Sequence, residues 1–559
     1  MIKKLVNKVI TKLEDIASSI MAKIGEDKFW KYFLMIFLII SLIPVFMPGI
    51  FWGHDTHFHL SRINGIVEGL RNGVFPVLIY PGYFSGYGYG NGIFYPDIFL
   101  YIPAVLNVLG LSTITAYKIL LVILTIGILW SMYFCVKKIT KSSYTATIVS
   151  VLYLMSSYRM TDMWIRAALG ETITFVFFPF VILGLYELIY GNEKNWKYYT
   201  IGLIGVVLSH IISGVFCIIL TLVFALFNIK KLLKEKDRIK CALLAGFLAI
   251  GISAFFTFPL LEAILSDTFK YTTYQLKDPI FKHSVNPLLS FLDVPTGIFP
   301  WVPQGIGLVF IYLIAKFYKK NGTDDKQENF KKICIIFALV LLYVSTSLFP
   351  WKLLGKYLSI IQFPWRLYIL ITLLLLFGFA VPITNFIKSK KDKIHFTLIL
   401  TIFICFTFSV SFLYLLRFGL IKDYSHYVVI SAEYVPVDVN YKEFSNRGEI
   451  ITSNNDVSVN FKKKGTKIEI EYKDNTENDT YLELPLLYYK GYAAKEENKD
   501  LKIKKGNNGV VRVYLDSSEG KIDVYYGITN IRKIGFICSI ASLLVFVILC
   551  NRGRNKKES

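Results

Sequence analysis

Cysteine is scarce in this chain and absent from the places where a disulfide could form. All seven (Cys135, Cys217, Cys241, Cys334, Cys405, Cys538 and Cys550) lie in or beside apolar runs. None falls in a segment that reads as external, so no disulfide framework is expected. Charge is missing where the chain is most apolar, since the middles of the long apolar runs hold almost no Asp, Glu, Lys or Arg. Ion-coupled transporters carry such groups within their spans, and their scarcity weakens a transport reading. Acid is short overall, with 40 Asp and Glu against 62 Lys and Arg and a formal net charge of +22. A basic surplus can mark a nucleic-acid binder, but its placement here argues otherwise. The clusters at Lys137-Lys138, 230–240, 316–332, 388–393 and 552–557 punctuate the apolar runs. That is the pattern of cytoplasmic loops under the positive-inside rule, at a surface where anionic lipid attracts them further.

What is abundant is apolar sequence: 54% hydrophobic residues and a mean hydropathy of +0.50. Runs at 33–50, 120–136, 175–190, 243–261, 333–348, 367–381, 396–415 and 536–549 approach the length of about 20 residues that crosses a hydrocarbon core. The expected class is a polytopic α-helical membrane protein of about twelve spans, both termini cytoplasmic, in the plasma membrane. Residues 1–30, with Lys3, Lys4, Lys8 and Lys12 among Leu5, Val9, Leu13 and Ile16, read as a basic amphipathic helix on the inner surface. The run at 33–50 is long and lacks a small-x-small exit, so a cleaved signal is not expected.

The transmembrane body is expected over 31–416, with a large first external loop at 51–97 and a short apolar segment near 98–109 that reads as re-entrant or interfacial. Composition changes between 417 and 532. Alternation at 457–461, 467–472, 509–514 and 521–525, with Asn, Asp and Gly at the breaks, predicts a small external β-sandwich-like domain. Residues 533–559 supply a last span and a basic cytoplasmic tail. Asn478-Asp479-Thr480 fits a glycosylation sequon, a three-residue match common by chance.

Three of the seven histidines fall within Gly53-His54-Asp55-Thr56-His57-Phe58-His59-Leu60-Ser61-Arg62, at a membrane border. A helix starting near Asp55 would bring Asp55, His59 and Arg62 within about 60° of one another, with His57 roughly opposite His59. Leu60, Ile63, Val67 and Leu70 would then form an apolar stripe on another face. A metal clamp competes with that reading: a His57-x-His59 pair would need extended backbone, and His54, Asp55 and His57 are a possible divalent-metal set. The stripe favours the helix. Asp55 as a plain N-cap is the bland alternative.

The loop continues through Tyr87, Tyr89 and Tyr95 in a Gly- and Tyr-rich stretch. No Lys-Ser/Thr follows, so it is no phosphate cradle. Its rings could stack on sugars or form an interfacial belt. Arg159, Asp162 and Arg166 share a helical face at i, i+3 and i+7. An Asp162–Arg166 pair is the simple reading, and arginines binding a lipid phosphate the sharper one. Arg366, in Gln362-Phe363-Pro364-Trp365-Arg366, either snorkels or adds a phosphate contact. His210, in Leu208-Ser209-His210, reads more readily as a packed polar residue than as a catalyst.

Together these tracts, with Arg166-Ala167-Ala168-Leu169-Gly170-Glu171 and Leu487-Tyr488-Tyr489-Lys490-Gly491-Tyr492, resemble the bacterial 6-pyruvoyl-tetrahydropterin synthase-related membrane proteins, which are YfhO-like. The soluble pterin enzyme itself is a small zinc protein of a different fold. The resemblance implies a GT-C-type glycosyltransferase: a polyprenyl-phosphate-linked sugar donor, a cell-wall polymer or glycolipid acceptor, and an acidic residue of the first external loop at the active site. That residue maps onto Asp55. The chain departs from GT-C families that carry a close acidic pair there, since the next acid is Glu68; this leaves metal dependence open. The implied chemistry is an inverting transfer with Asp55 as general base and His59, Arg62, Arg159, Arg166, His210 and Arg366 as the residues around donor phosphate or substrate. A lipid or polysaccharide transporter or assembly protein without catalysis is the alternative.

Overall fold

The computed structural model describes residues 2–273, 279–292, 305–317, 325–424, 432–446, 448–454, 456–474 and 480–558. Asn478 of the sequon lies outside them. Among the described residues, five helices are long and apolar enough to cross a membrane: Thr113–Thr140, Leu169–Ile189, Pro364–Phe386, Lys390–Leu415 and Asn530–Asn551. A sixth arises if Lys236–Ile252 and Ala254–Ser266, bent by 69° at their junction, act as one span. The apolar runs suggested about twelve. The difference lies in runs that fold as shorter helices, including Ile98–Val108, Ser143–Leu154, Ile211–Phe227 and Leu308–Phe317. In the first run, helix Glu26–Ser41 gives way to a 3-10 turn over Ile43–Phe46, where Pro44 can donate no backbone hydrogen bond.

Burial sorts the long helices. Pro364–Phe386 has 94% of its apolar window buried and forms the middle of the bundle, whereas Asn530–Asn551 has 11% and turns its apolar side chains outward. Residues 451–526 form two antiparallel sheets among the described residues. The larger runs in the order Val457–Lys464, Lys467–Asp474, Glu519–Tyr526, Tyr492–Glu496, Lys499–Leu501, and the smaller in the order Ile451–Thr452, Tyr481–Leu487, Val510–Tyr514, Ile503–Lys505. Lys467–Asp474 alternates exposed and buried strictly, with Ile468, Ile470 and Tyr472 inward, the period that one-sided burial demands.

Two devices tie the chain that follows Leu416 to the first loop. Strand Ile50–Phe51 pairs antiparallel with Leu420–Ile421, extended by the Trp52 N–H donating to the Gly419 carbonyl at 2.8 Å. The Gly- and Tyr-rich stretch is itself a docking platform. Tyr87 lies flat on Phe444 with ring centroids 4.1 Å apart, the Leu487 N–H donates to the Tyr87 carbonyl, and Lys463 Nζ donates to the carbonyls of Gly86 and Pro485. Tyr89 stacks with Tyr83 and Tyr434. Tyr87 and Tyr89 are 2% and 1% exposed. The expectation that they stack on sugars is therefore corrected: their faces already pack on protein.

Candidate active site

Helix Thr56–Arg71 starts where the sequence suggested, with Asp55 in the N-cap position. Leu60, Ile63 and Val67 bury the predicted stripe. Asp55 does not cap with its side chain. Thr56 takes over locally, its hydroxyl accepting from the Gly53 N–H and donating to the Phe51 carbonyl. The tract is fastened sideways to a second segment: the His54 and Asp55 N–H groups donate to the carbonyls of Ile165 and Arg166 at 3.0 and 2.8 Å. Gly53 makes this approach feasible, because a Cβ there would sit 2.9 Å from Ala167 Cβ and from two carbonyl oxygens.

His59 and Arg62 share a face, as the helical spacing predicts, but they hold the loop together and do not face outward. Arg62 is buried over the Tyr95 ring at 4.1 Å. It donates to Asp97 Oδ1 through Nε and NH2, at 3.2 and 2.5 Å, and to the Pro96 carbonyl. Tyr80 donates to the other oxygen of Asp97. Arg62 NH1 and the Leu169 N–H both point at ring nitrogens of His59, at 3.1 and 3.2 Å. Only one of them can be accepted, so the ring is neutral. Burial and the nearby Arg62 charge hold His59 well below the usual histidine range. Their expected contact with donor phosphate is thus corrected to a positioning role. His57 points away, its ring against Trp52 and Tyr424. Among the described residues no three His, Cys, Asp or Glu side chains are grouped to hold a metal ion, so His54, Asp55 and His57 do not form the clamp their spacing suggested.

The second segment converges on Asp55. Arg166 holds Glu171 through two parallel contacts of 3.0 Å, from NH1 to Oε2 and from NH2 to Oε1. The expected Asp162–Arg166 contact is present. Arg166 also stacks over Trp365 at 4.4 Å. Arg366, from the start of the central helix, lies 2.8 Å from Glu171 Oε1 and donates to Gln362. His210 interacts electrostatically with Glu171, and its Nδ1 lies 2.9 Å from Ser213 Oγ. Two acids share Arg166, so burial and the Glu171 charge push the Asp162 carboxyl well up, toward its neutral form. Arg159 does not join this group. It is buried among Met160, Met163 and Thr125, which corrects its expected contact with substrate. The cause is a π-helical turn over Thr161–Ile165, which rotates Arg159 off the face it would share with Arg166 in a regular helix.

Asp55 sits among these charges without a direct bond. Its carboxylate makes no hydrogen bond or ion pair to any described residue, yet it feels Arg166, Arg366 and Glu171. Burial raises it to about 6, partly offset by the two arginines. Tyr95 completes one wall. Its hydroxyl lies against Gly170, where a Cβ would come within 2.4 Å of it, and burial pushes it up to about 12, so it stays a neutral donor. A cleft of about 360 Å³ opens at the residues just before Asp55, lined by Trp52, Gly53, His54, Arg417, Phe418 and Gly419.

The structure thus gathers Asp55, Tyr95, Arg166, His210 and Arg366, and sets His59, Arg62 and Arg159 behind them. Three acids escaped the sequence reading of the site. Glu171 closes the Arg166 tract and was visible as a motif without a role. Asp97 ends the aromatic loop, and only its distance in sequence hid it as the partner of Arg62. Glu433, near Asp55 and Arg366, gave no local signal.

Residues 93–415 match the family described as "6-pyruvoyl-tetrahydropterin synthase related domain; membrane protein". Tyr95, Arg166, His210 and Arg366 lie within that match, and Asp55 precedes it. A protein of Lactococcus lactis subsp. cremoris (strain MG1363), named "Uncharacterized protein", is 26% identical over 356 residues. The alignment takes in 59% of this chain and 56% of that relative, so the chain spans little more than half the relative's length. The cryo-EM structure of the arabinofuranosyltransferase AftD from mycobacteria is similar over 69% of this chain and 27% of its own, at 15% identity and a TM-score of 0.38. The family match takes in more than half of the sequence and includes four of the gathered residues: the chain belongs to the 6-pyruvoyl-tetrahydropterin synthase related membrane proteins.

Proposed function

We propose that this protein is a GT-C-type inverting glycosyltransferase of the plasma membrane, with both termini and the basic loops inside. It moves a sugar from a polyprenyl-phosphate donor to a cell-wall polymer or glycolipid on the outer side. The observation that carries this reading is an unpartnered carboxylate, Asp55, raised to about 6 beside Arg166 and Arg366. A general base works best when it titrates near the working pH and is free to accept a proton. In the reaction, Asp55 takes the proton of an acceptor hydroxyl, whose oxygen bonds to the anomeric carbon from the side opposite the phosphate. The bond from that carbon to the phosphate oxygen breaks, and its electron pair leaves on the lipid phosphate.

Such a leaving group needs charge stabilisation more than a strong acid. Arg366 is suited to supply it, since its NH2 group is unengaged among the described residues, and Arg166 adds to the local field, while burial lowers His210 to about 4 and keeps its ring neutral. Tyr95 stays protonated and can donate to a sugar hydroxyl. The test is transfer from a panel of radiolabelled polyprenyl-phosphate hexoses and pentoses by the purified full-length protein in liposomes. Asp55→Asn is expected to abolish transfer at unchanged expression and insertion. Full activity in that variant removes Asp55 from the mechanism.

A further inference from the structure

Glu433 lies 378 residues after Asp55 in sequence, and its neighbours are fixed to the same loop. The Tyr271 N–H donates to the Glu433 carbonyl at 2.8 Å, and the Lys270 N–H donates to that of Val435 at 2.9 Å. The adjacent Tyr434 lies parallel to Phe94, centroids 4.9 Å apart and planes within 2°. Its N–H donates to Tyr89 Oη, and its carbonyl accepts from Tyr489 Oη. Phe94 directly precedes Tyr95, the wall of the Asp55 site. The backbone from Glu433 to Val435 is therefore pinned, while the Glu433 carboxylate makes no hydrogen bond or ion pair to any described residue. The charged groups it faces are Asp55 and Arg366, with the Tyr434 phenol next to it. A half-buried carboxylate on a pinned backbone, with no partner among the described residues, is costly to keep unless something else uses it.

We propose that Glu433 is an acceptor-binding residue. Its carboxylate accepts a hydrogen bond from a second hydroxyl of the acceptor and so turns the reacting hydroxyl toward Asp55. Two carboxylates from opposite ends of the chain then flank the transfer position, one selecting and one activating. This selects an acceptor that offers two neighbouring hydroxyls, and it places the β-region side of the molecule in charge of acceptor choice. The inference rests on the transferase reading above.

Its test has one arm that needs activity and one that does not. In liposomes holding membrane extract as the acceptor source, donor turnover splits between transfer to acceptor and release of free sugar to water. Glu433→Ala is expected to lower the transfer-to-hydrolysis ratio by about tenfold, the loss of one hydrogen bond to a charged group, with donor KM unchanged. Glu433→Gln, whose amide oxygen still accepts, stays within about threefold of wild type. Equal loss of both products, or no change in the ratio, overturns the proposal. The second arm follows carbodiimide labelling of Glu433 by mass spectrometry as a function of pH. Asp55 adds like charge, so Asp55→Asn is expected to lower the labelling midpoint of Glu433 by about half a unit or more. An unmoved midpoint shows that the two carboxylates do not share one space and overturns the proposal without reference to activity. A shifted midpoint in a protein that transfers no sugar removes the transferase reading, and the acceptor role with it.

Discussion

Replacing Asp55 by Asn should inactivate the protein and stabilise it. In the fold this carboxyl titrates at about 6, against an ordinary value of 3.8. The native state therefore binds more protons than the unfolded chain between those two pH values, and stability falls as pH rises through that window. Above pH 6 the full cost is present. Just over two units corresponds to about 3 kcal/mol at 1.36 kcal/mol per unit. Asp55 is half-buried, and screening on its solvent side reduces the realised figure to about 1–2 kcal/mol. Asn carries no charge and removes this cost, so the variant should unfold about 1–3 °C higher at pH 7.5. The gain should vanish at pH 4, where both proteins are neutral at this position. The assay is tryptophan-fluorescence melting in detergent at pH 4, 5, 6 and 7.5. A variant no more stable than wild type at pH 7.5, or a gain equally large at pH 4, would refute the reasoning. The same value fixes the activity profile: the ionised fraction rises about tenfold between pH 5 and pH 7, and wild-type transfer should rise with it.

Arg62→Met leaves Asp97 buried without its cation and should destabilise by about 3–5 kcal/mol, whereas the double variant Arg62→Met/Asp97→Asn should recover much of that loss, read by the same melts. Gly53→Ala places a Cβ 2.9 Å from the Ile165 and Trp164 carbonyls. It should lower transfer far more than stability, which drops by about 1–3 kcal/mol, because the strain falls on the joint that aims Asp55. Arg366→Lys keeps the charge but loses the planar fork beside Glu171; a fall in kcat of about tenfold or more at unchanged expression is expected from single-turnover measurements.

The parts of this site that were legible in sequence are those whose cause is local. The start of the helix at Asp55 followed from the Leu60, Ile63 and Val67 stripe, and the Asp162–Arg166 pair from spacing alone. The failures have physical reasons. Arg159 was placed by a rotation of 100° per residue, and the π-turn at Thr161–Ile165 breaks that rotation. Tyr87 and Tyr89 looked like sugar platforms, since a flat ring carries no mark of whether protein or ligand will cover it. Their partners Phe444 and Tyr434 lie in the segment leading into the β-region. Hydropathy found the apolar runs but not their breaks, so it counted about twelve where, among the described residues, five helices, or six with the bent pair, have the length and composition of a span. Glu433 is the extreme case: its neighbourhood is ordinary, and only the folded chain brings it to Asp55.

The first external loop holds two aspartates, and their surroundings show why only one suits chemistry. Asp97 spends both oxygens: Arg62 takes one through two nitrogens and the Tyr80 hydroxyl takes the other. A carboxylate so held is a fastening, because a proton on either oxygen would compete with a contact that positions the loop. Asp55 has the opposite arrangement, with cations near enough to tune it and none bonded to it. Glu171 makes that separation possible. By taking Arg166 in two contacts and approaching Arg366 at 2.8 Å, it keeps both guanidiniums from collapsing onto Asp55. With Asp162 driven toward its neutral form, Arg166 and Arg366 share the engaged carboxylate of Glu171, and the positive charge that it does not balance faces Asp55 and Glu433. That surplus, beside an unbonded base, is what an incoming hydroxyl and an outgoing phosphate require of the same small space.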